Sequence, residues 1–350
     1  MKGLIFEDKH KVAVRDVPMP ECLPGTMIVK VEACGICGSD LHVYEGHWPR
    51  PDKVIGHEIA GMVSAVGEGV QGFAVGDRVT AECCTHCGKC TACLTGLHNL
   101  CTGREHGVSH GKLTGAFAEY ARLPVEITFK MPAGATAEQT VLVEPAAVAC
   151  RAVSMSGARP GGLAVVIGGG TIGLLCAAVL KARMRLRCMI VVKYDHQAEA
   201  ARKLGIDYVH KVSAGKTADA LKELATERGF PSGGADAAID TIGSTIALAD
   251  AADVIRPAGT IVVLALPGGR TIMPIHTIVA KEARVVGSNC YSYSDGIRDF
   301  DAAIDLIASG ALRAEQIITH RLPLADGQAA FETAADKSRG SIKVIMLPHA

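Results

Sequence analysis

The sequence predicts an α/β protein of two domains, an irregular and largely antiparallel β-domain joined to a parallel sheet wound with helices. Three observations predict it. At 350 residues the chain exceeds the roughly 250–300 at which a single core stops growing. Up to about residue 150, short β-type runs are broken by Gly and Pro. Beyond residue 151, β-type runs alternate with helical ones, as crossover connections require. We place the first domain at 1–150 together with 284–350 and the second at 151–283. The last seventy residues are expected to fold back onto the first domain.

In order, KVAVRDV, TMIVKVEAC, EIAGMVSAV, DRVTAEC and AFAEYARL read as strands of the first domain. AVVIGGG then leads into the helix TIGLLCAAVLKARM. CMIVVKYD leads into AEAARKLG, and AAIDTIG, ALADAADVI and GTIVVLALPG repeat the scheme. The chain closes on the strand GSIKVIML. Residues 163–180 carry no charge and approach the length of a membrane span, but Gly168, Gly169, Gly170 and Gly173 divide them into a strand and a helix.

Thirty-six basic side chains balance 36 acidic ones without long runs of either sign, so nothing in the composition points to nucleic acid or an anionic membrane. The opening MKGLIFEDKHK is too short in apolar residues for an export signal, and a cytoplasmic location is expected. In that compartment thirteen cysteines argue for metal or catalysis rather than a disulfide framework. Cys22, Cys150, Cys176, Cys188 and Cys290 stand among apolar neighbours, as small core residues do.

Gly168, Gly170 and Gly173 form G-x-G-x-x-G, with Thr171 and Ile172 between the last two, after one predicted strand and at the start of a helix. Glycines there let the backbone approach a pyrophosphate, whose charge the helix N-terminus favours. At the end of the following strand, where an NAD site carries Asp or Glu, stand Val192, Lys193, Tyr194 and then Asp195. Lys193 would attract the 2′-phosphate of NADP. Asp195 would reach the ribose of NAD only if the strand ended a residue or two later. We expect NADP, with NAD as the alternative.

Residues 87–101 read CGKCTACLTGLHNLC. Cys87, Cys90 and Cys93 begin like a ferredoxin run, but Cys101 follows after seven residues and is succeeded by Thr102 instead of Pro. Four thiolates in one loop suit tetrahedral zinc, and a site so saturated has no place for substrate, so it should be structural. A more scattered set comprises Cys37 in CGICGSD, His57 in GHE and Glu144 in VEPAAVA. A thiolate, an imidazole and a carboxylate would leave zinc an open position for catalysis. Singly, each has an ordinary alternative: a core thiol, a turn histidine, a helix cap. Tyr44, His47, Trp48 and Phe117 flank these segments and either line a substrate pocket or pack beneath loops.

These residues resemble the zinc-containing alcohol and polyol dehydrogenases of the medium-chain dehydrogenase/reductase superfamily, over essentially the whole chain. GHEIAGMVSAVGEGV with Gly61 and Gly67 is similar to the family's zinc signature, and CGICGSD, the cysteine knot, the glycine fingerprint and GSIKV fall in family order. The resemblance implies a GroES-like β-barrel carrying two zincs and a Rossmann cofactor domain. It makes Cys37 and His57 catalytic zinc ligands, with Glu58 either a third ligand or a carboxylate behind them. Glu144, standing where liver-type enzymes have cysteine, is similar to the sorbitol- and threonine-dehydrogenase branch. Ser39 and His42 match the family's proton relay, and Lys343 a basic residue near the cofactor pyrophosphate.

The implied activity is hydride transfer between a secondary alcohol and NAD(P), forming a ketone, in a homodimer or homotetramer. The substrate class is a polyol, sugar alcohol, cyclitol or vicinal diol, with oxidation of an amino alcohol such as threonine as the alternative. A rival of another class makes the cysteine cluster a redox or electron-transfer module.

Overall fold

A computed structural model describes residues 1–48, 53–103, 113–228, 233–267 and 269–350. The chain divides into two compact units, one of residues 1–144, 303–309 and 318–350, the other of 145–302 and 310–317.

The first unit is built on the strand Thr26–Gly35. It pairs antiparallel with Glu58–Val66, with Tyr120–Pro124 and with the closing strand Lys343–Leu347. Arg78–Ala81 and Thr128–Lys130 extend the sheet on one side and Ile318–Pro323 on the other. Three of its neighbours come from residues 58–66, 120–124 and 343–347, so the last strand completes the first domain. The fold-back of the tail is a hydrogen-bonded fact at Ile345↔Gly35 and Met346↔Cys34. Lys2–Asp8 and Lys11–Asp16 form a separate hairpin. Beneath lies an apolar core with Leu4, Phe6, Met27, Phe117 and Phe331, in which Phe331 meets Phe6 and Phe117 edge to face. Tyr44 and Phe117 belong to it, at 3% and 0% exposure. Of the two readings left open for these rings, packing is the one the structure gives.

The second unit holds six parallel strands, Leu163–Ile167, Arg187–Val192, Tyr208–Lys211, Ala235–Asp240, Ile255–Val263 and Arg284–Gly287. Numbered along the chain, their spatial order is 3-2-1-4-5-6, the doubly wound dinucleotide-binding order. Val165, Val166, Ile190 and Val191 are almost wholly buried, as strands covered on both faces must be. The order in which strands are added reverses beside Leu163–Ile167, and the glycine-rich turn leaves the carboxyl end of that strand. Ligands bind such sheets at that switch point.

The expected return to the first domain at residue 284 requires a correction. Arg284–Gly287 pairs in parallel with Ile255–Val263 as the sixth strand of the sheet, so the chain is still inside the second unit there. The alternation of strands and helices stops before the sheet does, because the final strand follows only the short helix Ile275–Ala280. The uncharged stretch 163–180 resolves into the strand Leu163–Ile167 and part of the helix Thr171–Met184. Among the described residues no helix is long and apolar enough to cross a membrane.

Candidate active site and metal centres

Strand register assembles the first site. Gly35 faces Glu58 across the antiparallel pair, so Cys37, two residues beyond the one, and His57, one before the other, emerge together at the same sheet end. The Cys37 sulfur makes a hydrogen-bonding contact with the His57 ring. Cys34 is fully buried and burial pushes its thiol well up, whereas Cys37 is half-buried and is the cysteine of CGICGSD that reaches His57. Cys37 also caps the helix Gly38–Tyr44, where its backbone N–H donates to Asp40 Oδ2 at 2.9 Å.

Asp40 is the residue the sequence reading left without a role. It is 2% exposed, and its Oδ1 lies 3.8 Å from His57 Nδ1. At that separation the interaction is electrostatic, and it places negative charge beside Nδ1, on the side of the ring away from Nε2. Burial alone would depress the imidazolium, yet the charges of Asp40, Cys37 and Glu144 carry the His57 pKa well above its usual value. Asp40 itself is pushed up to about 6 by burial. A signal was present in the sequence: an acidic residue three positions after a helix-opening Cys matches the capping-box spacing.

Glu58 and Lys343 form a buried ion pair. Lys343 Nζ donates to Glu58 Oε1 at 2.7 Å, to Oε2 at 2.6 Å and to the Ile36 carbonyl at 2.9 Å, with both side chains 1% exposed. Burial works against the Lys343 ammonium, and the charges of Glu58 and Cys37 more than reverse it. Lys343 directs its protons at Glu58 and the Ile36 carbonyl, which departs from the expected contact with a cofactor pyrophosphate. Of the two readings of Glu58, acceptance by both oxygens from Lys343 favours the carboxylate behind the ligands. Gly35 is required for that arrangement, since a Cβ there would lie 2.0 Å from Glu58 Oε2. Lys337, half-buried, is pushed down to about 8 by burial and then by Lys343.

Glu144 stands in the first turn of the helix Val143–Met155, 4% exposed, with burial raising its carboxyl to about 8. Asp40 and Glu144 are both driven toward their neutral forms by burial, and a dication held beside them would favour the charged carboxylates instead. The donor set of thiolate, imidazole and carboxylate suits zinc. Ser39 and His42 lie three residues apart on one face of the helix Gly38–Tyr44.

The knot is fully gathered. Cys87, Cys90, Cys93 and Cys101 bring their sulfurs within 4.8 Å of one another, and individual separations are 3.5, 3.9 and 4.0 Å. A tetrahedron with Zn–S bonds of about 2.3 Å has edges of about 3.8 Å, so the cage is the right size. Backbone N–H groups favour two of the thiolates, while burial pushes Cys93 up to about 12. Those of Lys89 and Cys90 lower Cys87, and those of Cys93 and Thr102 bring Cys90 to about 5. Cys83 and Cys84 sit 3.7 Å apart outside that cage, and His86 stacks on His98. Cys93→Ala is expected to lower thermal stability and remove one bound zinc per chain while the KM for alcohol changes less than about threefold. Metal content and a melting curve check it, and a large KM change with unaltered melting would reverse the structural assignment.

In the second unit, Gly168 takes φ +117° as it leaves its strand, and Gly170 caps the helix Thr171–Met184 with open space around its Cα. A Cβ on Gly173 would lie 1.9 Å from the Gly168 carbonyl, so only glycine lets helix and turn approach this closely. Thr171 and Ile172 open the helix whose N-terminus faces the turn. The strand Arg187–Val192 ends before Lys193, which is exposed and has its ammonium 5.2 Å from the Tyr194 ring centroid. Asp195 begins the next helix and is held by Lys211 at 2.6 Å.

Residues 23–133 match the alcohol dehydrogenase GroES-like domain, and residues 171–309 the zinc-binding dehydrogenase domain. A sorbitol dehydrogenase of Halalkalibacterium halodurans is 33% identical over 96% of this chain and 95% of its own length. The 2R,3R-butanediol dehydrogenase of Bacillus subtilis superposes with a TM-score of 0.84 at 31% identity, covering 99% of both chains. A zinc-binding-dehydrogenase structure from Sinorhizobium meliloti, solved with NADP, superposes with a TM-score of 0.87 at 29% identity over 99% of both chains. The chain belongs to the zinc-containing alcohol and polyol dehydrogenases of the medium-chain dehydrogenase/reductase superfamily. It is an NAD(P)-linked, zinc-dependent oxidoreductase acting on the alcohol group of a small molecule. The electron-transfer reading of the cysteine cluster loses its basis with that membership.

Proposed function

We propose that the protein oxidises a secondary alcohol of a polyol or vicinal diol to the ketone, with NADP as hydride acceptor, and runs the reverse reduction. The observation that carries it is the contact of Cys37 with His57 at one sheet end, with the buried Glu144 carboxylate near enough for its charge to act on His57, a donor set with a carboxylate in place of the second thiolate. The names of the related sorbitol and butanediol dehydrogenases support a substrate with adjacent hydroxyls.

Zinc held by Cys37, His57 and Glu144 would act as a Lewis acid on the substrate hydroxyl, easing loss of its proton. The Asp40 carboxylate, 3.8 Å from His57 Nδ1, sets negative charge on the side of the ring away from Nε2. Ser39 accepts the proton and passes it to His42, one turn further along the same helix face, which releases it to water. The Gly168 to Gly173 turn and helix N-terminus hold the pyrophosphate and so place the nicotinamide for hydride transfer. Glu58 and Lys343 fix the strand ends from which Cys37 and His57 project.

Assay of sorbitol, xylitol, butane-2,3-diol and threonine against NAD and NADP, with zinc quantified in the same sample, tests the proposal. The highest kcat/KM is expected for a polyol or diol, and a preference for threonine would replace it with amino-alcohol oxidation.

The NADP assignment is supported by Lys193 at the strand end and by the engagement of Asp195 with Lys211. Lys193→Asp is expected to lower kcat/KM for NADP by at least about tenfold, or 1.4 kcal/mol. It should also raise kcat/KM for NAD. An unchanged NADP/NAD ratio would assign Lys193 to a solvated strand end.

Self-association is supported by the edge strand Arg284–Gly287 and the exposed Ile272, Ile275, Val279 and Val285 near it. Light scattering decides between dimer and tetramer. A reducing compartment such as the cytoplasm suits thiolates that must stay unoxidised.

A further inference from the structure

Two groups of metal-ligating side chains have ligand atoms within 4.8 Å of one another among the described residues, the cysteine cage and a second group of His42, Glu45 and His47. We propose that these three form a third, reversible binding site for a divalent transition-metal ion, whose occupation takes His42 out of the proton relay.

The geometry is built by the backbone. The helix Gly38–Tyr44 ends at Glu45, Gly46 turns the chain at φ +77°, and the N–H groups of His47 and Trp48 both donate back to the His42 carbonyl at 2.9 and 3.2 Å. The loop thus returns His47 over His42. Their Nδ1 atoms are 3.2 Å apart, and Glu45 Oε2 lies 3.4 Å from His47 Nδ1. A tetrahedral ion with bonds of about 2.0–2.2 Å has ligand edges of roughly 3.3–3.6 Å, close to these separations. The ordering entropy of three side chains has therefore largely been met before any ion arrives.

Two facing Nδ1 atoms share one proton at most, so a metal ion replaces a single hydrogen bond while gaining three ligands. Two imidazoles and one carboxylate favour Zn²⁺, Ni²⁺ or Cu²⁺ over Mg²⁺ or Ca²⁺. Glu45 and His47 are half-exposed, at 39% and 47%, so an ion enters from solvent and keeps water as its remaining ligand. Such a site is weaker than the buried centres and exchanges freely.

The consequence for catalysis rests on the relay reading given above. A metal-bound His42 can neither rotate nor carry a proton on Nδ1, so turnover falls as the site fills.

The chain carries its own reporter. Its one tryptophan, Trp48, lies against the His42 ring at 4.6 Å between centroids, and an open-shell ion bound there quenches indole emission. Titration of the zinc-loaded enzyme with NiCl₂ is expected to give saturable quenching that ZnCl₂ reverses by competition. Glu45→Gln and His47→Gln should each move the midpoint to at least about tenfold higher Ni²⁺, since even residues behind a ligand are worth 10–100-fold in affinity. Turnover of the parent enzyme should fall with the same midpoint as the quenching. Quenching that is absent, or identical in both variants, overturns the site. Quenching with turnover unaffected upholds the metal site and removes His42 from the relay.

Discussion

Cys37→Ser is expected to abolish turnover while cofactor binding survives. Serine keeps the backbone N–H that donates to Asp40, so the cap of the helix Gly38–Tyr44 remains. What it removes is the thiolate, the softest donor of the proposed set and the one in contact with His57. Lewis-acid polarisation is worth several kcal/mol, and a loss of about 4 kcal/mol is roughly a thousandfold in rate. Zinc content should fall by one ion per chain, with the Cys87, Cys90, Cys93 and Cys101 cage still filled. The Gly168 to Gly173 turn belongs to a separate compact unit, so the Kd for NADP should stay within about threefold of the parent. Metal analysis, cofactor fluorescence and steady-state rates on one preparation separate these effects. Turnover near the parental rate would remove Cys37 from the metal site altogether.

The parallel sheet was the most legible part of the chain, because buried strands and crossover helices write their periods directly into composition. The helix Thr171–Met184 falls on the predicted residues for that reason. The knot was legible because all its ligands lie within fifteen residues. The working site was only partly so. Cys37, His57 and Glu144 stand out as chemistry, but what orients them depends on strand register, which no local pattern encodes. Asp40 was visible only as an ordinary helix cap, and its approach to His57 comes from two strands meeting at Gly35 and Glu58. Lys343 shows the limit best. The family resemblance matches it to a residue near the cofactor pyrophosphate, and only the pairing of Lys343–Leu347 with Thr26–Gly35 reveals that it faces inward to Glu58. The end of the second unit was misplaced for a related reason: Arg284–Gly287 carries a charge and a glycine in four residues and lacks the long helix that should precede it.

Lys343→Met carries the largest expected stability loss. Methionine matches the length of the aliphatic stem but leaves Glu58 buried beside an acidic neighbour, with neither of the two donations it now receives from the ammonium. Removing one partner of a buried ion pair costs about 3–5 kcal/mol, because the surviving charge is neither solvated nor paired. The pair itself need not be worth that much, since replacing both charges together can be nearly neutral. Glu58→Gln in the Lys343→Met background should therefore recover most of the loss, and denaturant unfolding of the two single variants and the double variant gives the coupling directly. The readout that distinguishes positioning from mere packing is catalytic. If Glu58 and Lys343 hold the strand ends carrying His57 and Cys37, the restabilised double variant should still show reduced kcat with KM for NADP unchanged. Full activity in that variant would make the pair a structural tie alone, and a single variant within 1 kcal/mol of the parent would mean that water reaches Glu58 once the ammonium is gone.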